Sequence, residues 1–147
     1  MGMKQLSEHI LAVARDHDLN VTNLQLQKTL YFMIREYVKE NPDYKNDRYI
    51  LTLYDKKFEA WPYGPVIPEI YYSYKFYAGM PIQDSGNYRL DYRIFDELIC
   101  LILKKNIFDL VKITHRQPLW KNNKEDILNR NGKFVYELGD IYDDPET

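Results

Sequence analysis

Two stripes of apolar side chains in the first forty residues have the three- and four-residue spacing of amphipathic helices. The first stripe predicts a helix over about Lys4 to Asp16, and it consists of Leu6, Ile10, Val13 and Ala14. The second predicts a helix from Asn23 to about Lys39, and it consists of Leu26, Leu30, Ile34, Tyr37 and Val38. Thr22 precedes Gln25 by three residues, which is the spacing of a capping box at a helix start.

The middle of the chain has a different pattern. The segment from Arg48 to Tyr54 is rich in Tyr, Ile, Leu and Thr, which predicts a strand, and Phe58 to Trp61 would be the returning strand of a small hairpin. Trp61-Pro62-Tyr63-Gly64 has the proline and glycine positions of a type I turn. Pro68 can then occupy the first position of a third helix. One face of this helix carries Ile67, Ile70, Tyr71, Tyr74 and Tyr77.

The second half of the chain predicts a linker and several more helices. A fourth helix from Asp91 to about Lys105 is apolar nearly all round at 98–103, which predicts the central buried helix. Further short elements are predicted as helices at 107–113, 125–129 and 138–142, a loop around Pro118 and a strand at 134–136. The fold class is mainly α with a small β-hairpin. We expect one compact multi-helix domain over 1–147. The acidic composition from about residue 143 favours a flexible tail.

The overall charge argues against a polyanionic partner. The chain has 147 residues and a net charge of -2 at neutral pH. Proteins that bind DNA or RNA usually carry a basic excess, so a nucleic-acid partner is not expected. Three short basic clusters would indicate nucleic-acid contact only if they converge in space with tyrosines. These clusters are Lys56-Lys57, Lys104-Lys105 and Lys121 to Lys124.

The sequence also indicates the cellular compartment. Cys100 is the single cysteine, so no disulfide can form within the chain. The longest apolar run, Leu98 to Leu103, is far too short to span a membrane. The first helix carries Glu8 and Arg15 where a signal peptide needs an unbroken apolar region. We therefore expect a cytoplasmic protein with no membrane partner.

No set of side chains points to catalysis or to metal binding. His17-Asp18 resembles a metal-binding dyad, but the remaining histidines, His9 and His115, lie in no recognisable ligand motif. Cys100 lies in an apolar run, where a thiol is more often a small core residue than a nucleophile. We expect no cofactor, no metal site and no catalytic residue.

The third predicted helix is the best candidate for contact with a partner. Its aromatic side chains cover most of the helix circumference, so they cannot all face one core. Tyrosine is favoured at protein interfaces because it offers a large area and a polar tip. The candidate partner-binding residues are Tyr71, Tyr72, Ser73, Lys75 and Phe76. The alternative, core packing on one side with ordinary exposed tyrosines on the other, stays open.

Two longer motifs carry a family resemblance. The first lies on the second predicted helix and contains Leu26, Gln27, Lys28, Tyr31 and Phe32. The second spans the turn and contains Glu59, Trp61, Tyr63, Gly64, Pro65 and Pro68. Thr114-His115 and Pro118-Leu119-Trp120 follow later in the chain. In order and spacing, these motifs resemble the Panacea antitoxin domain family over about Lys4 to Ile127. That family is also called SocA-like and includes phage-associated GepA-like proteins.

The resemblance implies a mainly helical, non-enzymatic protein of bacteria or their phages. Such a protein neutralises the toxin of a toxin–antitoxin system by direct contact, and the toxin is typically encoded by the adjacent gene. The turn would then be a scaffold, in which Gly64 and Pro65 set the chain direction while Trp61 and Tyr63 are buried. The aromatic side chains of the third helix would contact the partner.

Two other functions remain open. The first is a proteolytic adaptor that delivers a cargo protein to a cytosolic protease, with the acidic segment from Asp143 to Thr147 as a tether. The second is a phage-encoded enzyme whose site assembles only in the fold. That site would require His115, an acidic residue and either Cys100 or a tyrosine hydroxyl to converge in a pocket.

Overall fold

The computed structural model describes residues 1–145, and within that range it is mainly helical with one small antiparallel sheet. This confirms the predicted fold class. The α-helices are α1 (Met3–Asp16), α2 (Asn23–Glu40), α3 (Arg48–Leu53), α4 (Pro68–Ser73), α5 (Asp96–Leu103), α6 (Ile107–His115), α7 (Pro118–Asn122), α8 (Lys124–Leu128) and α9 (Leu138–Tyr142). The strands are β1 (Glu59–Trp61) and β2 (Gly64–Val66). Short 3-10 helices cover Tyr44–Asn46, Lys75–Tyr77 and Leu90–Phe95.

Helix α2 is the centre of the fold. Twelve of its eighteen residues are buried, and it packs against α1, α3, α5, α6, α9 and β2. Its start has the predicted capping box, in which the side chains of Thr22 and Gln25 each accept a backbone N–H of the other residue. The long first helix is also confirmed, with its start at Met3.

The prediction that the fourth helix is the central one was wrong. The segment is divided into the 3-10 helix Leu90–Phe95 and the shorter α5, and Leu101 on α5 is 54% exposed. Helix α5 packs with one face on α1 and α2, through Ile99, Ile102 and Leu103. Helix α5 therefore has more apolar side chains than its buried face can accommodate.

The predicted strand from Arg48 to Tyr54 was also wrong, because this segment forms α3. The carboxylate of Asp47 accepts the backbone N–H of Tyr49 and so caps a helix start. Ile50 and Leu53 are buried while the two residues between them are exposed, which is the three-residue period of a helix. The hairpin instead lies one element later, between β1 and β2.

Two further predictions differ from the structure in the last third of the chain. The expected loop around Pro118 contains α7, because Pro118 takes the first helical turn and the Gln117 side chain caps it. The strand expected at 134–136 is reduced to a single bridge between Val135 and Glu59. Backbone hydrogen bonds from Ala60 and Tyr136 flank that bridge, so β1 has neighbours on both sides.

The acidic segment at the end of the described chain is anchored to α2. The Asp144 side chain is fully buried, accepts a hydrogen bond from the Tyr31 hydroxyl at 2.7 Å and lies 3.3 Å from Nε of Arg35. A buried carboxylate needs such polar partners, and they fix Asp144 in place. At Asp144 the structure therefore differs from the flexible tail that the sequence predicted. Glu146 and Thr147 lie outside the described residues. Within the described part of the chain, no helix combines the length and apolarity needed to cross a membrane.

Replacement of Asp144 by alanine should lower the free energy of unfolding by about 3 kcal/mol, because it leaves the Tyr31 hydroxyl and the Arg35 guanidinium buried without this carboxylate. Urea denaturation checks this value. Asp143→Ala is the matched control, since Asp143 is exposed and its loss should change stability by no more than about 0.5 kcal/mol. Equal effects of the two substitutions would contradict the anchoring role of Asp144.

Candidate functional site

The segment from Trp61 to Pro68, here called the joint, connects the hairpin to the aromatic helix. Strands β1 and β2 pair antiparallel, with Trp61 opposite Gly64, so the predicted turn residues form the hairpin connection. Pro68 then occupies the first turn of α4, as predicted. The joint therefore reverses the chain once and directs it into α4 within eight residues.

Side chains of α2 hold the joint by its backbone. The Lys28 ammonium donates to the carbonyl of Pro65 at 2.9 Å, and the Gln27 carbonyl oxygen accepts the N–H of Ile67 at 2.9 Å. Asn23, one turn earlier, donates to the carbonyl of Tyr71 in α4 at 2.9 Å. Three polar side chains of one helix face thus bind backbone groups of the joint and of the helix that follows it.

Side chains of α6 and α7 also bind the joint. Nε2 of His115 bonds the carbonyl of Pro62 at 2.9 Å, and the indole N–H of Trp120 donates to the carbonyl of Trp61 at 2.8 Å. The two rings are stacked with centroids 3.7 Å apart. Burial lowers the pKa of His115, and because a carbonyl only accepts, Nε2 must carry the hydrogen.

Glycine is required at position 64 for two reasons. Its backbone has φ +106°, in the region that disfavours side chains. A β-carbon there would lie 2.4 Å from the hydroxyl oxygen of Thr114 and 3.0 Å from Cε of Lys28. The glycine of the turn motif therefore allows α2 and α6 to approach the joint closely.

Lys28 is an unusual component of this site because its side chain is fully buried. Its ammonium contacts a carbonyl oxygen, and no carboxylate pairs with it among the described residues. Burial lowers the pKa of Lys28 from 10.5 to about 7. Lysines are rarely buried without an ion-pair partner, so the position of this amine is set by the joint rather than by charge pairing.

The other motif residues divide into core and surface. Leu26, Tyr31 and Phe32 are buried core residues of α2. Glu59 is half-buried and pairs with Lys133 at 3.3 Å. The expectation that Trp61 and Tyr63 are buried was wrong for Tyr63, which is 62% exposed at the tip of the hairpin. Trp61 is half-buried.

The candidate partner-binding residues lie on one short stretch after the joint. Tyr72, Ser73, Lys75 and Phe76 are exposed, and Tyr71 is half-buried. Helix α4 ends at Ser73, and the 3-10 helix Lys75–Tyr77 follows it. Phe76 is 93% exposed, which is exceptional for a phenylalanine in an ordered segment. Its ring touches the edge of the neighbouring Tyr77 ring and otherwise faces solvent.

A cleft of about 860 Å³ opens beside the joint. Its aromatic lining includes Trp61, Tyr71 and Tyr72, whose rings contact one another at centroid distances of 5.1 to 6.2 Å. Lys75, Arg130 and Lys133 supply its cations, and the amides of Asn23 and Gln27 also line it. The cleft thus combines a large apolar surface with a few polar groups, which is typical of binding sites.

The structure brings together no catalytic set at His115. Its ring is occupied by the Pro62 carbonyl and by Trp120, and no hydrogen bond joins it to a thiol or hydroxyl among the described residues. Burial raises the pKa of Cys100, which disfavours a thiolate. His17 bonds the carbonyl of Val13 at its own helix end. Over residues 1–145, no three His, Cys, Asp or Glu side chains are grouped to hold a metal ion.

The basic clusters do not line the aromatic cleft, although Lys57 lines a second pocket together with Tyr44, Tyr54 and Tyr142. Lys56 pairs with Glu69 at 2.7 Å and Lys57 with Glu137 at 2.6 Å, so both charges are neutralised. None of the three clusters lines the cleft, whose cations come from elsewhere in the chain. The spatial condition set for nucleic-acid contact is therefore not met at the aromatic cleft.

Sequence reasoning missed two residues of this region. Asn23 was assigned only to a helix start, and Arg130 was not considered. The signal for Asn23 was present, because it lies one turn before Gln27, and both are polar residues on the side of α2 that packs inward. Arg130 gave no sequence signal, since its position depends on the local backbone of a turn.

Comparisons with protein-family models, curated proteins and solved structures return no match to this chain.

The buried amine makes a specific prediction about pH. Between pH 7 and 10.5 the unfolded chain keeps the Lys28 proton while the folded protein releases it, so stability should rise with pH over this range. Between pH 7 and 8.5, the free energy of unfolding of wild type should rise relative to Lys28→Met by up to about 1.4 kcal/mol per pH unit. Urea denaturation across this interval measures the difference.

Lys45→Met is the matched control, because Lys45 is exposed and its removal should leave the wild-type pH dependence unchanged. The Lys28→Met variant loses the hydrogen bond to Pro65 at every pH, so we expect it to be less stable than wild type throughout. The comparison therefore uses the change of the free energy of unfolding with pH rather than its absolute value. Parallel pH profiles for wild type and Lys28→Met would contradict a buried amine with a lowered pKa.

Proposed function

We propose that the protein is an antitoxin-like binding protein that neutralises a partner toxin by direct protein–protein contact. The motifs of α2 and of the joint resemble those of Panacea antitoxin domains, and that resemblance supplies the functional class. The toxin would be the product of the adjacent gene. Neutralisation would work by covering the toxin's active surface rather than by any chemical step.

The observation that carries this proposal is the exposed apolar surface that follows the joint. Three large apolar side chains within residues 72–80 are more than half exposed, namely Tyr72, Phe76 and Met80. Interface hot spots are enriched in aromatic side chains, and these three exposed side chains lie within nine residues of the chain. This set is defined here as the aromatic patch.

The joint gives the aromatic patch a fixed position. Tyr72 follows a helix start whose incoming backbone is bonded by Gln27 and Lys28, and the Tyr71 carbonyl is bonded by Asn23. A side chain presented by an ordered backbone loses less conformational entropy on binding than one on a mobile loop. The motif residues therefore act as the scaffold, and the patch acts as the contact surface.

Substitution of Phe76 by alanine should abolish protection against the partner toxin without a loss of stability. The ring makes few contacts in the free protein, whereas a central aromatic anchor contributes about 2 kcal/mol or more to an interface, or roughly thirty-fold in affinity. Growth of cells that co-express the adjacent gene product measures protection, and thermal denaturation measures folding.

Phe108→Ala is the matched control, because Phe108 on α6 is also an exposed phenylalanine, 63% accessible, outside the aromatic patch. It should leave protection intact. If Phe76→Ala protects as well as wild type, the patch is not the contact surface. If the adjacent gene product is harmless alone, or remains toxic beside wild type, the antitoxin function itself is refuted.

A further inference from the structure

Arg130 occupies a backbone position that normally belongs to glycine. Helix α8 ends in a Schellman motif, in which the N–H of Asn131 bonds the carbonyl of Asp126 at 2.8 Å and the N–H of Arg130 bonds that of Ile127 at 3.1 Å. In this motif the residue after the C-cap adopts a left-handed conformation, and Arg130 does so with φ +58°. Glycine is the usual residue there because its missing β-carbon avoids the steric penalty.

The strained arginine lines the cleft beside the joint. A second residue of the cleft, Ala78, also has a positive φ, at +52°. Among the described residues, three that are not glycine have positive φ, and two of them line this one cleft. Backbone strain that the fold retains often accompanies a binding site, and here the strained Arg130 is one of the residues that line the cleft.

The charge of the cleft is not balanced within the protein. Glu59, the acidic residue of the cleft, is engaged by Lys133 and by the indole N–H of Trp61. Lys75 and Arg130 have no carboxylate within ion-pair distance among residues 1–145; Lys75 instead lies 5.8 Å from the ring centre of Tyr72. Two cations therefore remain available beside an apolar aromatic wall, in a chain whose net charge is -2.

We infer that the cleft binds a segment of the partner protein in which an apolar side chain is flanked by carboxylates. The apolar side chain packs against Trp61, Tyr71 and Tyr72, and the carboxylates pair with Arg130 and Lys75. A partner that covered these cations without carboxylates would bury uncompensated charge, which is strongly unfavourable. The inference rests on the proposed binding of a partner protein and adds the chemistry of the bound segment.

The ring geometry favours a protein segment over single-stranded nucleic acid. Base stacking needs an open ring face. The rings of Trp61 and Tyr71 meet at 67°, and those of Tyr71 and Tyr72 at 78°, so they cover one another edge to face. Such a wall offers grooves between rings, which suit an aliphatic or aromatic side chain better than a stacked series of bases.

Selection from a random heptapeptide library against the full-length protein tests the inference directly. The selected peptides should be enriched in Asp and Glu next to a large apolar residue, and their affinity should fall as salt is raised. Fluorescence anisotropy of the most enriched peptide should show roughly tenfold weaker binding to Arg130→Gly, because a charge-assisted contact is lost. Thermal denaturation should show that Arg130→Gly is as stable as wild type or more stable.

Two further variants separate charge from shape. Arg130→Lys keeps a cation at the cleft and should bind the peptide more tightly than Arg130→Gly. Lys75→Gln should also weaken binding, whereas Lys104→Gln, which removes an exposed lysine outside the cleft, should not. Selected peptides without acidic enrichment, or equal binding by wild type and Arg130→Gly, would overturn the inference. Displacement of the peptide by oligothymidylate at equal or higher affinity would overturn it in favour of a nucleic-acid ligand.

Failure of this inference can be distinguished from failure of the proposed function. If Arg130→Gly still protects cells against the adjacent gene product while Phe76→Ala does not, the partner binds the aromatic patch without using the cleft cations. If the adjacent gene product proves harmless, the antitoxin function fails. Acid-rich peptides that bind through Arg130 would then still establish the cleft as a site for acidic segments.

Discussion

A lysine ammonium buried against a backbone carbonyl is the constraint on which this structure depends most. Lys28 lies on the central helix, and its hydrogen bond to Pro65 fixes the joint at the point where a glycine lets the helices approach. Burial of that charge is unfavourable, as its lowered pKa indicates. The neighbouring hydrogen bonds from Gln27, Asn23, His115 and Trp120 to backbone groups of the joint and of α4 help to offset this cost.

This arrangement gives two sets of side chains different roles. Polar side chains of α2, α6 and α7 are used inside the protein, where they bind main-chain atoms of the joint. The side chains that follow the joint are used outside, where Phe76 and Tyr72 are largely exposed. The cleft beside the joint adds Lys75 and Arg130, two cations with no carboxylate partner among residues 1–145, next to Tyr72. This division is consistent with the proposed recognition of a partner protein through contact and charge.

Regular helices were predictable because their periodicity is local. The apolar stripes of α1 and α2 and the capping box at Thr22 follow from sequence spacing alone. The segment at 48–53 was predicted as a strand because its residues favour β-structure. In the structure, the Asp47 side chain caps the segment as a helix instead. The apolar run of α5 suggested a central helix, but α2 fills that place in the core. The joint motif was recognisable, yet its bonding depends on side chains 30 to 60 residues distant in the chain, which no local pattern contains.

Amide hydrogen exchange at Ile67, followed by NMR, tests most directly whether α2 fixes the joint. The Ile67 N–H donates to the Gln27 side chain and belongs to no regular element, so protection there depends on that contact. We predict that Ile67 in the wild type is protected to a degree comparable with Leu30 in α2. In Gln27→Ala its exchange should accelerate selectively, while that of Ile10 in α1 changes little. Rapid exchange at Ile67 in the wild type, or unchanged protection in Gln27→Ala, would contradict a joint held by the central helix.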